Sequence, residues 1–465
     1  MAKMTAEDIA WLESWRSILI ASPSAASVYA FQDKLLHSQS QSAKSISRLT
    51  IKQAVGVLAH AMRDVPFYSS YARQVPLSEF KKHPERAWTR LPILTRHDLQ
   101  DSGNALSSRL LPPGHVRTGK LRSSGSTGTP VEVATTNIVN MWQKAFALRA
   151  AVWARRDFSQ TLAVIRKFAD DLTHHPDGQT SSHWADPEGI PFKTGQRFSV
   201  DATSRSIDDQ LSWLLQRQPA YLMTYPSILR ELIAALSKAS SGWQPLGITT
   251  LGETVDDELR EDVLQYWNLS IDDVYSAEEC GTIAVQCPSH GRYHIQSEAL
   301  MVEIVDEQGR LCPAGKEGRV VVTTLANYAM PLIRYWIGDW AIAGAACGCG
   351  RNLPVLTKVL GRERNLLVTR QGKFWPSFGT RKLRDLAPIS AQMFRQHSLD
   401  KVKMYYVSPT PLTDEQSQAV QKHLAQSLPA NISLEMQRVD ELDRARTGKR
   451  EVFASDVGSK RDAVQ

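Results

Sequence analysis

The residue types most able to do chemistry fall into two groups. In the first, Ser123, Ser124, Gly125, Ser126, Thr127 and Gly128 crowd together ahead of Thr129-Pro130 and an alternating Val131-Glu132-Val133. Glycines let a backbone approach a ligand closely and turn its N–H groups towards an anion, and hydroxyls add neutral donors for phosphate oxygens. This is not a Walker loop, which needs Lys-Ser/Thr after its last glycine. Taken alone, the stretch fits a phosphate cradle and a hydrophilic hairpin turn equally. In the second group, Cys287 and His294 precede Cys347-Gly348-Cys349. Three thiolates and one imidazole make a tetrahedral Zn²⁺ site, with His290 as a substitute ligand. The other reading is that buried free cysteines pack as small hydrophobes. Cys280 and Cys312 read as structural.

These groups need elements to position them. Residues 5–75 read as helices, opened by a Thr5–Asp8 cap and carried on by apolar residues at helical spacing, with a Ser/Gln-rich connection at 38–47. A helix is expected over 139–156. Residues 170–200 are polar and loop-like, and His174, His175 and His183 read as solvated there. Residues 204–240 read as helical, broken at Tyr225-Pro226. From 245 short strands and turns take over. The stretch 301–325 alternates, with turns at Gln308-Gly309 and Ala314-Gly315, and reads as hairpins. The tail predicts a small strand–helix–strand lobe. Val402, Met404 and Tyr406 share a strand face, and Thr413 with Gln416 caps a helix striped by Val420, Leu424 and Leu428. Ile432, Leu434 and Met436 then alternate.

The whole chain bounds what these parts can be. Its 465 residues imply two or three domains, and 42% hydrophobic against 22% charged residues excludes global disorder. A net charge of +7 suits an anionic partner. That charge is spread along the chain without a long basic run, which argues against nucleic acid. No stretch of about 18 apolar residues appears, so no membrane partner is expected. Five cysteines are an odd number for a disulfide scaffold and point to a cytoplasmic protein.

The order of short phrases is more specific. SSGSTGTP (123–130) is followed by LGE (251–253), YSAEECG (275–281), YWIGDW (335–340), LGRERN (360–365) and RTGKR (446–450). This order resembles the adenylate-forming superfamily of acyl and aryl CoA ligases, and more narrowly its phenylacetate–CoA ligase branch with capsule-type relatives. HAMRDVPFYSSYA (60–72), LPILTRHDL (91–99), AMPLIRYWIGDW (329–340) and CGCGR (347–351) resemble that branch. The resemblance covers most of the chain and is thinnest over 140–245.

The resemblance implies an α/β fold: a large adenylating N-terminal domain of several subdomains (1–361, with a helical start over 1–80) and a small mobile α+β lobe (362–465). It implies a reaction joining a carboxylate to AMP with release of pyrophosphate, then passing the acyl group to CoA. Such chemistry needs phosphate donors, a metal carboxylate, a ribose acceptor and a cation at the reacting carboxylate. Ser123 to Gly128 would hold the β- and γ-phosphates of ATP. Glu279 would hold Mg²⁺, Tyr275 would lie by the adenine, and Ser276, Gly252 and Glu253 would join the nucleotide site. Asp339 would accept the ribose hydroxyls and Arg362 would reach ribose or phosphate. Lys449 would neutralise the acyl carboxylate and phosphate in the transition state. Some relatives in the branch share the Cys…His…Cys-x-Cys arrangement as a structural zinc site. The acid is expected to be small, aryl or otherwise hydrophobic, with Trp184, Tyr225 and Gly252-Glu253 as pocket neighbours. The assembly is expected to be a monomer or homodimer.

The chain also departs from the pattern. Ser276 and Glu278 stand where the family has Gly and Ser, and Arg364 and Asn365 stand where its hinge carries two aspartates. The altered hinge puts the second step in question. It keeps open transfer to an amine, giving an amide, and a non-catalytic nucleotide-binding relative.

Overall fold

Ser42 opens a helix of 22 residues: its hydroxyl accepts from the Ser45 N–H at 3.2 Å, satisfying a donor the helix cannot. The helix Ala43–Asp64 then buries Ile46, Thr50, Ala54, Leu58 and Ala61, a stripe at three- to four-residue spacing. The expected connection at 38–47 is therefore shorter, since Pro23–Ser38 is already helical and the next helix starts at Ala43. Residues 43–47 (AKSIS) offer one large apolar residue, so the sequence pattern becomes readable later than the helix begins. The computed structural model describes residues 23–122, 130–168, 177–185, 190, 193–239, 242–442 and 448–457. The Thr5–Asp8 cap, the stretch Ser123 to Thr129, His174, His175, Arg446 and Thr447 lie outside the described residues.

The chain divides into two compact units. The first comprises Met1–Leu162, Thr180–Phe198 and Asp272–Val359. Its strands run, in spatial order, Leu300–Val305, Glu317–Thr324, Tyr335–Ala343, Val355–Arg362 (as far as Val359), Tyr293–Ile295, Gly281–Gln286 and Ile271–Ala277 (from Asp272). The expected hairpin is present: Val302 pairs with Val322, and Gly309 and Gly315 sit at φ +76° and +87° in the turns beyond. Leu58, Tyr68, Trp88, Val320, Val322, Ile333 and Tyr335 share one buried core with these strands. The hydroxyl-rich stretch joins two antiparallel strands, Arg117–Arg122 and Glu132–Thr136, in which Leu121 pairs with Val133. The helix Asn137–Trp153 follows directly, close to the expected 139–156.

The second unit comprises Ala163–Gln179, Ser199–Ile271 and Leu360–Gln465. The strand Tyr221–Thr224 runs parallel to Gly247–Leu251, joined by the helix Pro226–Ala239. The helix Asp257–Trp267 follows, capped by Asp256. The sequence predicts helix over 204–240 with a break at Tyr225-Pro226; the second helix does start at Pro226, but the residues before the break are not all helical. Among the described residues of this stretch, Ile207–Arg217 and Pro226–Ala239 are helical and Tyr221–Thr224 is a strand. Four residues with three buried carry no alternation, so periodicity could not separate this strand from a helix. The strand Arg197–Asp201 likewise lies in what read as a loop.

Residues 391–455 carry a four-stranded sheet, ordered Ser433–Arg438, Lys401–Val407, Ala391–Ser398 and Phe453–Ser455. Val402, Met404 and Tyr406 are buried on one face. Thr413 and Gln416 form the expected reciprocal cap, and Val420 and Leu424 of that helix are fully buried.

Candidate active site and metal centre

In the first unit, Thr95 and Asp98 form a capping box. The Thr95 N–H donates to the Asp98 carboxylate at 2.7 Å, and the Asp98 N–H donates to the Thr95 hydroxyl at 3.2 Å. That box fixes the start of the helix Arg96–Ser102 and so aims Arg96, whose Nη1 lies 3.0 Å from Glu279 Oε1. Glu279 sits in the turn between the strands Ile271–Ala277 and Gly281–Gln286 with its side chain about nine-tenths buried, whereas Glu278 is exposed. Gly281 holds this turn at φ +74°, and a Cβ there would come within 2.3 Å of the Gln143 amide. Gln143 Oε1 accepts from the Thr282 N–H at 2.7 Å. A pocket lined by Leu121, Val139, Trp142, Leu300 and Asn327 opens beside Glu279.

Tyr275 and Asp339 meet directly. The phenol donates to Asp339 Oδ2 at 2.8 Å, and both residues are buried. Ser276, beside them, is half-buried. Burial and the neighbouring carboxylates of Glu279 and Asp339 push the Cys280 thiol well above its usual range, which keeps it a neutral packing group. Trp184 is buried, its indole donating to the Gln160 carbonyl at 2.8 Å.

In the second unit, the strand Gly247–Leu251 ends at Gly252, in the left-handed region at φ +78°. A Cβ on Gly252 would lie 2.8 Å from Lys449 Cε and 3.0 Å from Nζ, so the movable end of this lysine rests directly against the glycine. Lys449 Nζ stands 5.8 Å from the centre of the Tyr225 ring, and the Tyr225 hydroxyl accepts from the Lys167 N–H at 3.1 Å. Glu253 accepts from the Ser227 N–H at 2.8 Å, the Ser227 hydroxyl at 3.0 Å and the Arg450 N–H at 2.7 Å. The Arg450 guanidinium pairs with Glu231. Arg362 is exposed, its N–H donating to Asn365 Oδ1 at 3.1 Å. The hinge substitutions have partners too: Arg364 pairs with Glu451, and the Asn365 amide donates to the Phe453 carbonyl.

Glu279, Tyr275, Asp339, Gly252, Glu253 and Lys449 are legible in the sequence, whereas the groups that hold them are not. Those groups are Arg96, Gln143, Ser227 and Arg450. The Thr95-x-x-Asp98 box that encloses Arg96 is the available signal for the first.

The metal-type residues converge. Cys287 Sγ, His294, Cys347 Sγ and Cys349 Sγ offer ligand atoms that all lie within 4.8 Å of one another. His294 is held on both sides of its strand, paired with Val285 and Val355, and its Nε2 lies 3.3 Å from Cys349 Sγ. Gly348 adopts φ +79° between the two cysteines, a backbone turn that side chains rarely permit. Burial, with the Arg351 charge nearby, lowers the His294 pKa to about 4, so the imidazole is neutral and able to ligate near pH 7. His290 Nδ1 stands 4.0 Å from Cys287 Sγ. The donor set and its closeness fit zinc.

No family model matches the chain. Its fold is that of the adenylate-forming ligases: a 2-hydroxyisobutyryl-CoA ligase in the postadenylation state aligns over 91% of this chain and 92% of its own, with TM-score 0.68 at 16% identity. An anthranilate CoA ligase holding anthranoyl-AMP aligns over 72% of this chain and 65% of its own, with TM-score 0.51 at 16% identity. In sequence the chain is similar to the phenylacetate–coenzyme A ligases of Pseudomonas putida and Escherichia coli strain K12. Each is 24% identical, over 75% and 73% of this chain and 78% and 76% of the relative. A stretch of 86 residues is 40% identical to the enzyme named the same way in Thermus thermophilus.

Proposed function

We propose that this protein is an ATP-dependent, AMP-forming acid–CoA ligase. A carboxylate oxygen attacks the α-phosphorus of ATP and displaces pyrophosphate. The CoA thiol then attacks the acyl carbon, loses its proton and displaces AMP, leaving a thioester. The observation that carries the reading is Lys449 against Gly252, at the carboxyl end of a parallel strand, where open α/β sheets bind their ligands. A cation held there neutralises charge that develops between carboxylate and phosphate.

Glu279 would hold Mg²⁺, which binds through one or two carboxylates together with substrate phosphates and shields their charge. Its inward turn fits that task, and Arg96, 3.0 Å away, would release the carboxylate oxygen as the metal binds. Tyr275 would hold Asp339 in place through its 2.8 Å hydrogen bond, orienting the carboxylate for ribose hydroxyls. Ser123 to Gly128 would cradle the terminal phosphates, a role supported by the hairpin that brackets them. The acid would be small and hydrophobic or aryl, as is the anthranoyl group held by the anthranilate CoA ligase that shares the fold. Residues 362–465 would form the moving lobe, docked for adenylation and turned away for transfer.

Zinc in the Cys287–His294–Cys347–Cys349 cluster would be structural, because four protein ligands leave no open position. The free cysteines suit a reducing cytoplasm, and among the described residues no helix is long and apolar enough to cross a membrane.

The test is acid-dependent ATP–pyrophosphate exchange over a panel of aryl and aliphatic acids, followed by supply of CoA or amines. Exchange with an aryl acid and thioester formation are expected. No exchange with any acid overturns the reading, and product with amines alone moves the acceptor.

A further inference from the structure

Glu253 meets the lysine-bearing loop at its backbone. One carboxylate oxygen accepts both the Ser227 hydroxyl and the Arg450 N–H, at 3.0 and 2.7 Å, and the other accepts the Ser227 N–H at 2.8 Å. Ser227 lies in the first turn of the helix Pro226–Ala239, where backbone donors lack partners and favour a carboxylate. Glu253 is therefore pinned by a rigid element on one side and grips residue 450 on the other. Four residues along the same helix from Ser227, Glu231 takes the Arg450 guanidinium; both side chains are nearly nine-tenths buried. On the other flank of Lys449, Gly448 at φ +74° lies so close to Ala202 that a Cβ would stand 3.0 Å from it. Lys449 thus projects from a loop whose neighbours are both fixed, while its own stem is flexible.

We propose that Glu253 is a positioning residue: by accepting the Arg450 N–H it sets the backbone that delivers Lys449, and so acts in adenylation without touching the nucleotide. This rests on the proposed role of Lys449. It also requires the grip to be released when the lobe turns away, so Glu253 should matter for the first half-reaction alone.

The experiment compares Glu253→Ala and Glu253→Gln with the wild-type full chain. Adenylation is read by pyrophosphate exchange at saturating ATP, and transfer by CoA thioester formation from a synthetic acyl-adenylate. Misplacing a reacting group by about 1 Å costs roughly a hundredfold, so Glu253→Ala should lose about that much in exchange kcat, with transfer within about twofold. Glu253→Gln keeps an acceptor oxygen and should recover most of the rate. Hydrogen exchange of the peptide spanning Gly448–Val452 should quicken in Glu253→Ala. A raised KM for ATP with unchanged kcat would make Glu253 a nucleotide contact and overturn the proposal. Equal loss in both half-reactions would make it merely structural, and unchanged hydrogen exchange would deny the grip; either overturns it. If wild type exchanges pyrophosphate with no acid, the ligase reading fails, and hydrogen exchange still judges the Glu253 contact on its own.

Discussion

The Cys/His cluster and the Lys449 loop are two ways of fixing reactive groups. The first is built from strand register: His294 is locked between two neighbouring strands, and short side chains bring the sulfurs together. The second is built from single polar contacts and glycines, with a long flexible side chain at its end. Strand pairing suits a centre that must stay closed. Contacts that can break one at a time suit a group that must arrive and leave.

That contrast can be broken first at Lys449. Lys449→Ala should lower exchange about a thousandfold, on the order of 4 kcal/mol of transition-state stabilisation, because a charge partner in a water-poor site is lost. Transfer from a pre-made acyl-adenylate should be spared. Equal slowing of both steps in rapid-quench assays would remove the two-pose mechanism. Cys347→Ser should do the reverse, costing about 3 kcal/mol of stability through loss of metal while leaving the rate per folded molecule unchanged. Metal analysis giving no zinc, together with an unchanged unfolding midpoint, would refute it.

Glu279→Gln should cost about 2.7 kcal/mol, a hundredfold in exchange, with the Tm close to wild type. Near-wild-type exchange in that variant would sink its assignment to the metal. The smallest effect is expected at the pivot. Arg364 and Glu451 are both partly exposed, and such pairs are worth about 1 kcal/mol or less. Replacing Arg364→Asp and Asn365→Asp together should therefore change transfer only severalfold, and exchange less. If neither step moves, the substituted hinge is irrelevant to lobe motion.

The two regions also differ in how legible they were. Thiols and an imidazole announce themselves by type, and Cys287, His294, Cys347 and Cys349 converge, as one of the two readings of them expects. Lys449 was readable only through the phrase around it, since a lysine near a basic tail carries little meaning alone. The Glu253 grip was not readable at all, because its partner is a backbone N–H, which every residue but proline offers. At the level of fold, the lobe's helix declared itself through Thr413 and Gln416. Tyr221–Thr224 did not, because a buried parallel strand lacks the alternation that marks a half-exposed one.

The Arg364–Glu451 pair bears on descent as well as on mechanism. Glu451 follows Lys449 by two residues, so an aspartate at 364 would face a carboxylate where an arginine now stands. The two positions should therefore change together over evolutionary time. Sequences that keep an acidic residue at 364 should carry a neutral or basic one at 451, and a charge-swapped double variant, Arg364→Glu with Glu451→Arg, should behave more like the parent than either single change.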